Sequence, residues 1–196
     1  MIIGFSGKMG SGKTTAAKYL VQHHGFHRVR FAGPLKAMMA SLGLSNEEIE
    51  GNLKEKQCEL LCGKTPRWAM QSIGTEWGRD MIGSEVWVNA WHRARQGLEL
   101  VVVDDVRFEN EAAAIKAAGG LLVRIERAHD TIDSELVHTS EQQNFDCDRT
   151  IRNVDGFVSC LYGEIQAILE QERVDLSWAS AATHDGQANI RDVHTR

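Results

Sequence analysis

Residues 4–20 read GFSGKMGSGKTTAAKYL, and the interpretation of this stretch decides the fold. Gly7, four further residues, then Gly12, Lys13 and Thr14 complete the pattern G-x-x-x-x-G-K-[ST] of a P-loop. Ile2, Ile3 and Phe5 precede it as a short apolar strand, and Thr14 to His24 follow with helical spacing at Ala17, Leu20 and Val21. Strand, glycine loop and helix are the context the motif needs. The glycines let backbone N–H groups close on phosphate oxygens where side chains would collide, and the helix N-terminus adds partial positive charge. In such a loop Lys13 reaches the β- and γ-phosphates and the Thr14 hydroxyl joins the shell of a Mg²⁺ ion.

The rest of the composition makes any phosphate affinity focal. In 196 residues, 22 Lys plus Arg stand against 27 Asp plus Glu, a net charge of −5, and basic residues occur only in scattered pairs. That excludes a general nucleic-acid or anionic-membrane surface. No apolar run approaches the ~20 residues of a membrane span, and with a strand starting at Ile2 no signal peptide is expected, so a cytoplasmic protein is expected. Cys58, Cys62, Cys147 and Cys160 are too few and too irregularly spaced for a disulfide scaffold or a zinc site and read as thiols. The length and a 42% hydrophobic content suit one domain with a real core.

Outward from the P-loop the strand–helix unit repeats. A second strand is predicted around Val29 to Phe31, then a helix with Pro34 in its first turn and Gly43 at its exit. Ser45 and Glu48 form a capping box in an otherwise irregular segment. Thr65 and Pro66 open a helix carrying Trp68, Met70, Ile73 and Trp77, and Ser84 caps another carrying Val86, Val88 and Trp91. Val101 to Val103 is apolar on both faces, as a strand inside a parallel sheet must be. An alanine-rich helix ending at Gly119 and Gly120, a strand LLVRI, a strand near Thr150 and Ile151, and a helix Asp155 to Glu172 complete an α/β domain with a mostly parallel sheet. Residues 173–196 lack periodicity and read as a loosely held tail.

What is done with the phosphate depends on the other motifs. There is no N-K-x-D segment, and the D-x-x-G string at Asp80 to Gly83 falls inside a predicted helix, so a GTPase switch is set aside. Asp104 and Asp105 close the Val101–Val103 strand at the sheet edge where α/β proteins place ligands, positioned to orient Mg²⁺ waters or an acceptor group, with Arg107 nearby to neutralise phosphate. The bland alternative is that one of them merely caps the helix at Glu109. The helix tryptophans Trp68, Trp77, Trp87 and Trp91 read as core rather than base-stacking residues, and Lys36 and Arg79 have a rival reading as solvated helix charges.

FAGPLK at 31–36, MQSIGTEWGRDMIGSEVWVNAW at 70–91, VVVDDVRFENEAAAIKAAGG at 101–120 and HTSE at 138–141, in that order behind a P-loop, resemble the bacteriophage-type deoxynucleoside monophosphate kinases over residues 1–172. The resemblance implies a three-layer P-loop NTPase fold, nucleoside-monophosphate-kinase-like, with residues 44–98 as a helical acceptor-side insertion. It implies transfer of the ATP γ-phosphoryl group to a deoxynucleoside monophosphate with Mg²⁺. Gly7, Gly10, Ser11, Gly12, Lys13, Thr14 and Thr15 then hold the ATP phosphates, and Thr14 holds the metal, with Asp104 or Asp105 through water. Gly33, Lys36, Arg67, Gln71, Thr75, Trp77, Arg79, Asp104 and Arg107 line the acceptor side. Arg124, Arg127, His138 and Glu141 fall in the lid-like segment, with Arg127 as a donor-side cation; Lys13, Asp104, Arg107 and Arg127 form the catalytic set. Enzymes of this kind are often dimers, so a homodimer stays open. Two rivals remain: a phosphomevalonate-kinase-like small-acceptor kinase, which shares the P-loop and the G-P-L-K segment, and a nucleotide-binding module without catalysis.

Overall fold

A computed structural model describes residues 1–127, 145–154 and 157–185, with the backbone alone for 173–185. Five strands, β1 (Ile2–Ser6), β2 (His27–Arg28), β3 (Val101–Val103), β4 (Leu121–Arg127) and β5 (Arg149–Asn153), form one sheet in the order β2-β3-β1-β4-β5. Every pairing is parallel, with Gly4 opposite Val103 and Leu122 at the centre. The helices are α1 (Lys13–His24), α2 (Gly33–Ser41), α3 (Asn46–Ile49), α4 (Pro66–Ser72), α5 (Val86–Ala94), α6 (Glu109–Ala117) and α7 (Val158–Asp185).

Side-chain alternation along the strands sorts the core into two layers. Ile3, Phe5, Val102, Val123, Ile125 and Ile151 face α1 and α7, where they meet Ala16, Ala17, Leu20, Leu161 and Ile165. Ile2, Val101, Val103 and Leu122 face the other way, against Ile115 and Ala112 of α6 and Trp91 and Val88 of α5. Strands buried on both sides carry continuous apolar runs, and each fully enclosed Ile or Val contributes about 1.5–3 kcal/mol. A third cluster, Met39, Leu44, Ile49 and Ala69, ties α2, α3 and α4 into a helical block before β3.

Several boundaries differ from the sequence reading. The second strand is His27–Arg28, ahead of the predicted Val29 to Phe31; it is a short edge strand whose last ladder bond is Val29 N–H to the Val102 carbonyl, 3.0 Å. The Ser45–Glu48 capping box and the Thr65 cap, whose hydroxyl accepts from the Trp68 N–H at 3.1 Å, form as expected. After Ser72 the helix continues as a ten-residue π-helix, Ile73–Ile82. Ser84 caps nothing: α5 follows Glu85, and the Ser84 carbonyl instead accepts from Arg79 and Asn110. α7 begins at Val158 and continues past Glu172 to Asp185. Ala179, Ala181 and Ala182 favour helix without an apolar stripe, which is why periodicity ended it early.

Candidate active site

Strand order places the site. β1 lies in the centre, and the chain leaves it toward β2 while the chain after β3 crosses to β4, so a crevice opens at the carboxyl ends of β1 and β3. The P-loop leaves β1 there and Asp104 leaves β3. Gly7 has φ +134°, and a Cβ on it would lie 2.1 Å from the Ile125 carbonyl oxygen, so only glycine fits the start of the loop. Lys13 Nζ donates to the carbonyls of Gly7 at 2.6 Å and Lys8 at 2.7 Å, folding over the loop mouth. Asn153, at the end of β5, donates to the Ser11 carbonyl at 2.9 Å and braces the loop from behind. The Arg127 guanidinium comes within 3.7 Å of the point where a Gly10 Cβ would sit, which puts its charge beside the loop.

The paired aspartates divide their work. Thr14 Oγ1 donates to Asp104 Oδ2 at 2.9 Å, and Arg28 grips the same carboxylate with both arms of its fork, Nε to Oδ1 at 2.8 Å and Nη2 to Oδ2. Asp105 turns away and accepts the N–H groups of Phe31 at 3.1 Å and Ala32 at 2.9 Å, fixing the turn into α2. Burial, then the neighbouring Asp104 charge, pushes the Asp105 carboxyl up. Neither aspartate caps α6. That task falls to Glu111, which accepts from the Arg107 N–H at 2.8 Å and the Phe108 N–H at 3.2 Å.

Two cavities meet here. One, of about 230 Å³, is lined by Gly7, Gly10, Lys13 and Thr14 of the loop and by Arg28, Arg30, Glu50 and Asp104. Its lining holds eight basic residues against three acidic ones, in a chain of net charge −5, so positive potential is concentrated at this point. The other, of about 190 Å³, has apolar walls of Phe31, Leu35, Met70, Trp87 and Phe108 with Gln71 and Thr75 among them. Lys36, Lys54, Arg67, Asp105 and Arg107 line both.

Most of these cations are already paired. Arg30 and Lys36 share Glu50 at 2.6 and 2.9 Å, and Arg67 pairs with Glu55. Burial lowers Lys36, with the Arg30 charge adding to it; burial also opposes ionisation of Glu50, but the bonds to Lys36 and Arg30 prevail and hold its carboxyl below the usual range. Arg79 stacks on Phe108, 3.7 Å from guanidinium carbon to ring centre, and pairs with Glu111 at 2.6 Å. Burial and the Asp105 charge push Glu111 up to about 7.

Of the residues expected from sequence, Gly7, Gly10, Lys13, Thr14 and Asp104 line the loop cavity, and Lys36, Arg67, Gln71, Thr75, Arg79 and Arg107 the apolar-walled one. Ser11, Gly12, Thr15, Gly33 and Trp77 line neither. Arg79 is no solvated charge; its guanidinium fastens the π-helix to α6. Arg124 donates to the Phe145 carbonyl at 2.8 Å, while His138 and Glu141 lie outside the described residues. Trp87 and Trp91 are buried as expected of core tryptophans, but Trp68 and Trp77 are 51% and 39% exposed. Sequence reading missed Arg28, Arg30, Glu50, Lys54 and Glu111. The alternation H-R-V-R, two basic residues running toward the ligand edge of a strand, was a usable signal for the first two; Lys54 and Glu50 sit in an irregular segment with none.

The four cysteines are free, no group of metal-binding side chains occurs among the described residues, and no helix among them is long and apolar enough to cross a membrane.

A parallel sheet with a P-loop leaving its central strand and an aspartate leaving the strand beside it defines a P-loop NTPase-type α/β protein. No family model matches the chain. A protein of Acanthamoeba polyphaga mimivirus, provisionally named a deoxynucleotide monophosphate kinase, is 38% identical over 157 residues, 72% of this chain and 80% of the viral protein. The chain belongs to that deoxynucleotide monophosphate kinase family. Among solved structures, the APS kinase CysC of Mycobacterium tuberculosis (15% identity, 86% of this chain and 96% of that one, TM-score 0.45) and the Thermus thermophilus protein TT1252 (18%, 87% and 97%, 0.48) are distant likenesses.

Proposed function

We propose that the protein transfers the γ-phosphoryl group of ATP to the 5′-phosphate of a deoxynucleoside monophosphate, giving ADP and a deoxynucleoside diphosphate. The observation that carries this reading is the pair of cavities: a strongly basic one at the P-loop and an apolar-walled one beside it, joined through a shared cationic wall. The kinase name of the viral relative supports the acceptor class.

A phosphate oxygen of the acceptor attacks the γ-phosphorus in line, the bond from that phosphorus to the β,γ-bridging oxygen breaks, and ADP leaves. An acceptor phosphate is already anionic at neutral pH, so no strong base is required; the obstacle is bringing two anions together, which the eight basic residues of the loop cavity offset. Lys13 lies where it can swing from loop carbonyls to the β- and γ-phosphates, and Arg127 approaches from the β4 side. Arg107, whose guanidinium makes no hydrogen bond or ion pair among the described residues, grips the acceptor phosphate as a planar fork. Thr14 Oγ1 and the Asp104 carboxylate bring together hard oxygen donors that fit Mg²⁺. Bound with ATP, that ion neutralises charge on the β- and γ-oxygens.

A screen of ATP consumption over the natural deoxy- and ribonucleoside monophosphates, with phosphomevalonate alongside, tests the reading. Turnover of at least one deoxynucleotide, with one ADP formed per diphosphate, is expected. Protein that binds ATP but phosphorylates none of them overturns the assignment, and turnover of phosphomevalonate alone replaces it with the small-acceptor class.

A further inference from the structure

The geometry points to Lys54 as a catalytic cation that bridges the donor and acceptor phosphates. This rests on the phosphoryl-transfer reading above but adds a residue for which neither the P-loop motif nor the sheet-edge aspartates give any hint.

Five residues line both cavities, and four of them are basic: Lys36, Lys54, Arg67 and Arg107. Lys36 is held by Glu50 and Arg67 by Glu55, so their charge at the junction is largely answered by carboxylates. The side chains of Lys54 and Arg107 make no hydrogen bond or ion pair among the described residues. Lys54 is nonetheless anchored. Its carbonyl accepts the Arg67 N–H at 3.0 Å, tying its backbone to the first turn of α4, and its side chain is only part exposed. An unpaired ammonium, fixed at its base on the wall that the two cavities share, lacks an anion.

The chemistry separates the two unpaired cations. Arg107 presents a rigid fork suited to one phosphate in a fixed orientation. Lys54 carries a compact charge on a flexible stem, able to remain within reach of the phosphoryl group as it passes from ADP to the acceptor. Charge that spreads over the equatorial oxygens of the transferring group is then met from the acceptor side by Lys54 and from the loop side by Lys13.

The test uses the full chain and two variants, Lys54→Met and Lys54→Arg, each checked for an unchanged thermal melt. For Lys54→Met, kcat should fall by about 100-fold, as on loss of one transition-state donor, while the Kd for ADP alone should stay within about threefold, since its two phosphates stay in the untouched P-loop and stop short of the junction. Lys54→Arg, which keeps the charge, should recover at least about a tenth of wild-type kcat. Inorganic tripolyphosphate, long enough to enter the junction from the loop, should bind Lys54→Met at least about 10-fold more weakly than wild type. Wild-type kcat in Lys54→Met, or an equal loss in both variants, overturns the role. The tripolyphosphate titration keeps it separable from the reaction: if wild type phosphorylates no deoxynucleotide yet the titration shows the loss, Lys54 remains a phosphate ligand and the acceptor assignment falls. If deoxynucleotides are turned over and both kcat and tripolyphosphate binding ignore Lys54→Met, Lys54 alone falls.

Discussion

The P-loop is shaped by main-chain groups: the Gly7 and Lys8 carbonyls that hold Lys13, and the Ser11 carbonyl braced by Asn153. Around the apolar-walled cavity its cations are held in side-chain ion pairs, Lys36 by Glu50, Arg67 by Glu55, Arg79 by Glu111. Main-chain geometry is set by the loop and the sheet and hardly varies with the identity of neighbouring side chains. A wall of ion pairs can be rearranged one residue at a time, so the apolar-walled cavity is where selectivity can change without disturbing the P-loop.

The largest effect should come from the loop. Lys13→Ala is expected to lower turnover by roughly 1,000-fold or more with the fold intact, since it removes charge from the transferring phosphoryl group; a variant retaining half of wild-type turnover breaks the distinction at its donor end. On the acceptor side the largest expected effect is on stability. Arg79→Met leaves the enclosed Glu111 without its partner and should cost about 3 kcal/mol in urea unfolding at pH 8, whereas an unchanged midpoint would show that the π-helix is held by packing alone.

Glu111 itself gives that end a pH dependence. Its carboxyl stands at about 7 in the folded chain against an ordinary 4.5, so the folded state binds the proton more tightly. The stability it contributes is therefore fully present below about pH 4.5 and lost as pH rises through about 7. Wild type should lose roughly 2–3 kcal/mol relative to Glu111→Gln between those limits, measured by denaturation at each pH; a constant difference contradicts the shift. Smaller again, Arg107→Lys keeps the charge but not the fork, and should cost about 10-fold in kcat/KM for the acceptor with less than about 1 kcal/mol in stability. Trp68→Ala, at an exposed position outside both cavities, sets the baseline and should change stability by less than about 0.5 kcal/mol and leave kinetics alone.

The same contrast explains what the sequence disclosed. Periodicity located β1, β3, α1 and α6 because burial on both sheet faces leaves a pattern of period two or 3.6. Pro66 and the Ser45–Glu48 box marked helix starts because caps are local chemistry. Gly7, Lys13, Thr14 and Asp104 were legible because a loop built from backbone needs particular residues at particular steps. Glu50 and Glu111 were not, since an ion pair between residues 14 or 32 positions apart, as in Lys36–Glu50 and Arg79–Glu111, has no sequence signature, and Lys54 was not because it lies in an irregular segment without a motif. The π-helix escaped as well: its i→i+5 bonds shift the apolar face against a 3.6-residue expectation. It places Gly78 under the Trp87 ring, where a Cβ would come within 2.6 Å of the indole.

Asp104 and Asp105 are consecutive residues, one turned to Thr14 and Arg28, the other to the Phe31 and Ala32 amides at the head of α2. The residue that holds Thr14 and the residue that holds the head of α2 are thus separated by one trans peptide unit, whose Cα atoms lie about 3.8 Å apart and whose plane resists twisting. Helices of the block before β3 can tilt or slide around this point, but the separation of the two Cα atoms that carry these carboxylates is set by bond lengths rather than by packing. Changes in the block would pivot about that unit, leaving the head of α2 tethered beside Thr14 and Arg28.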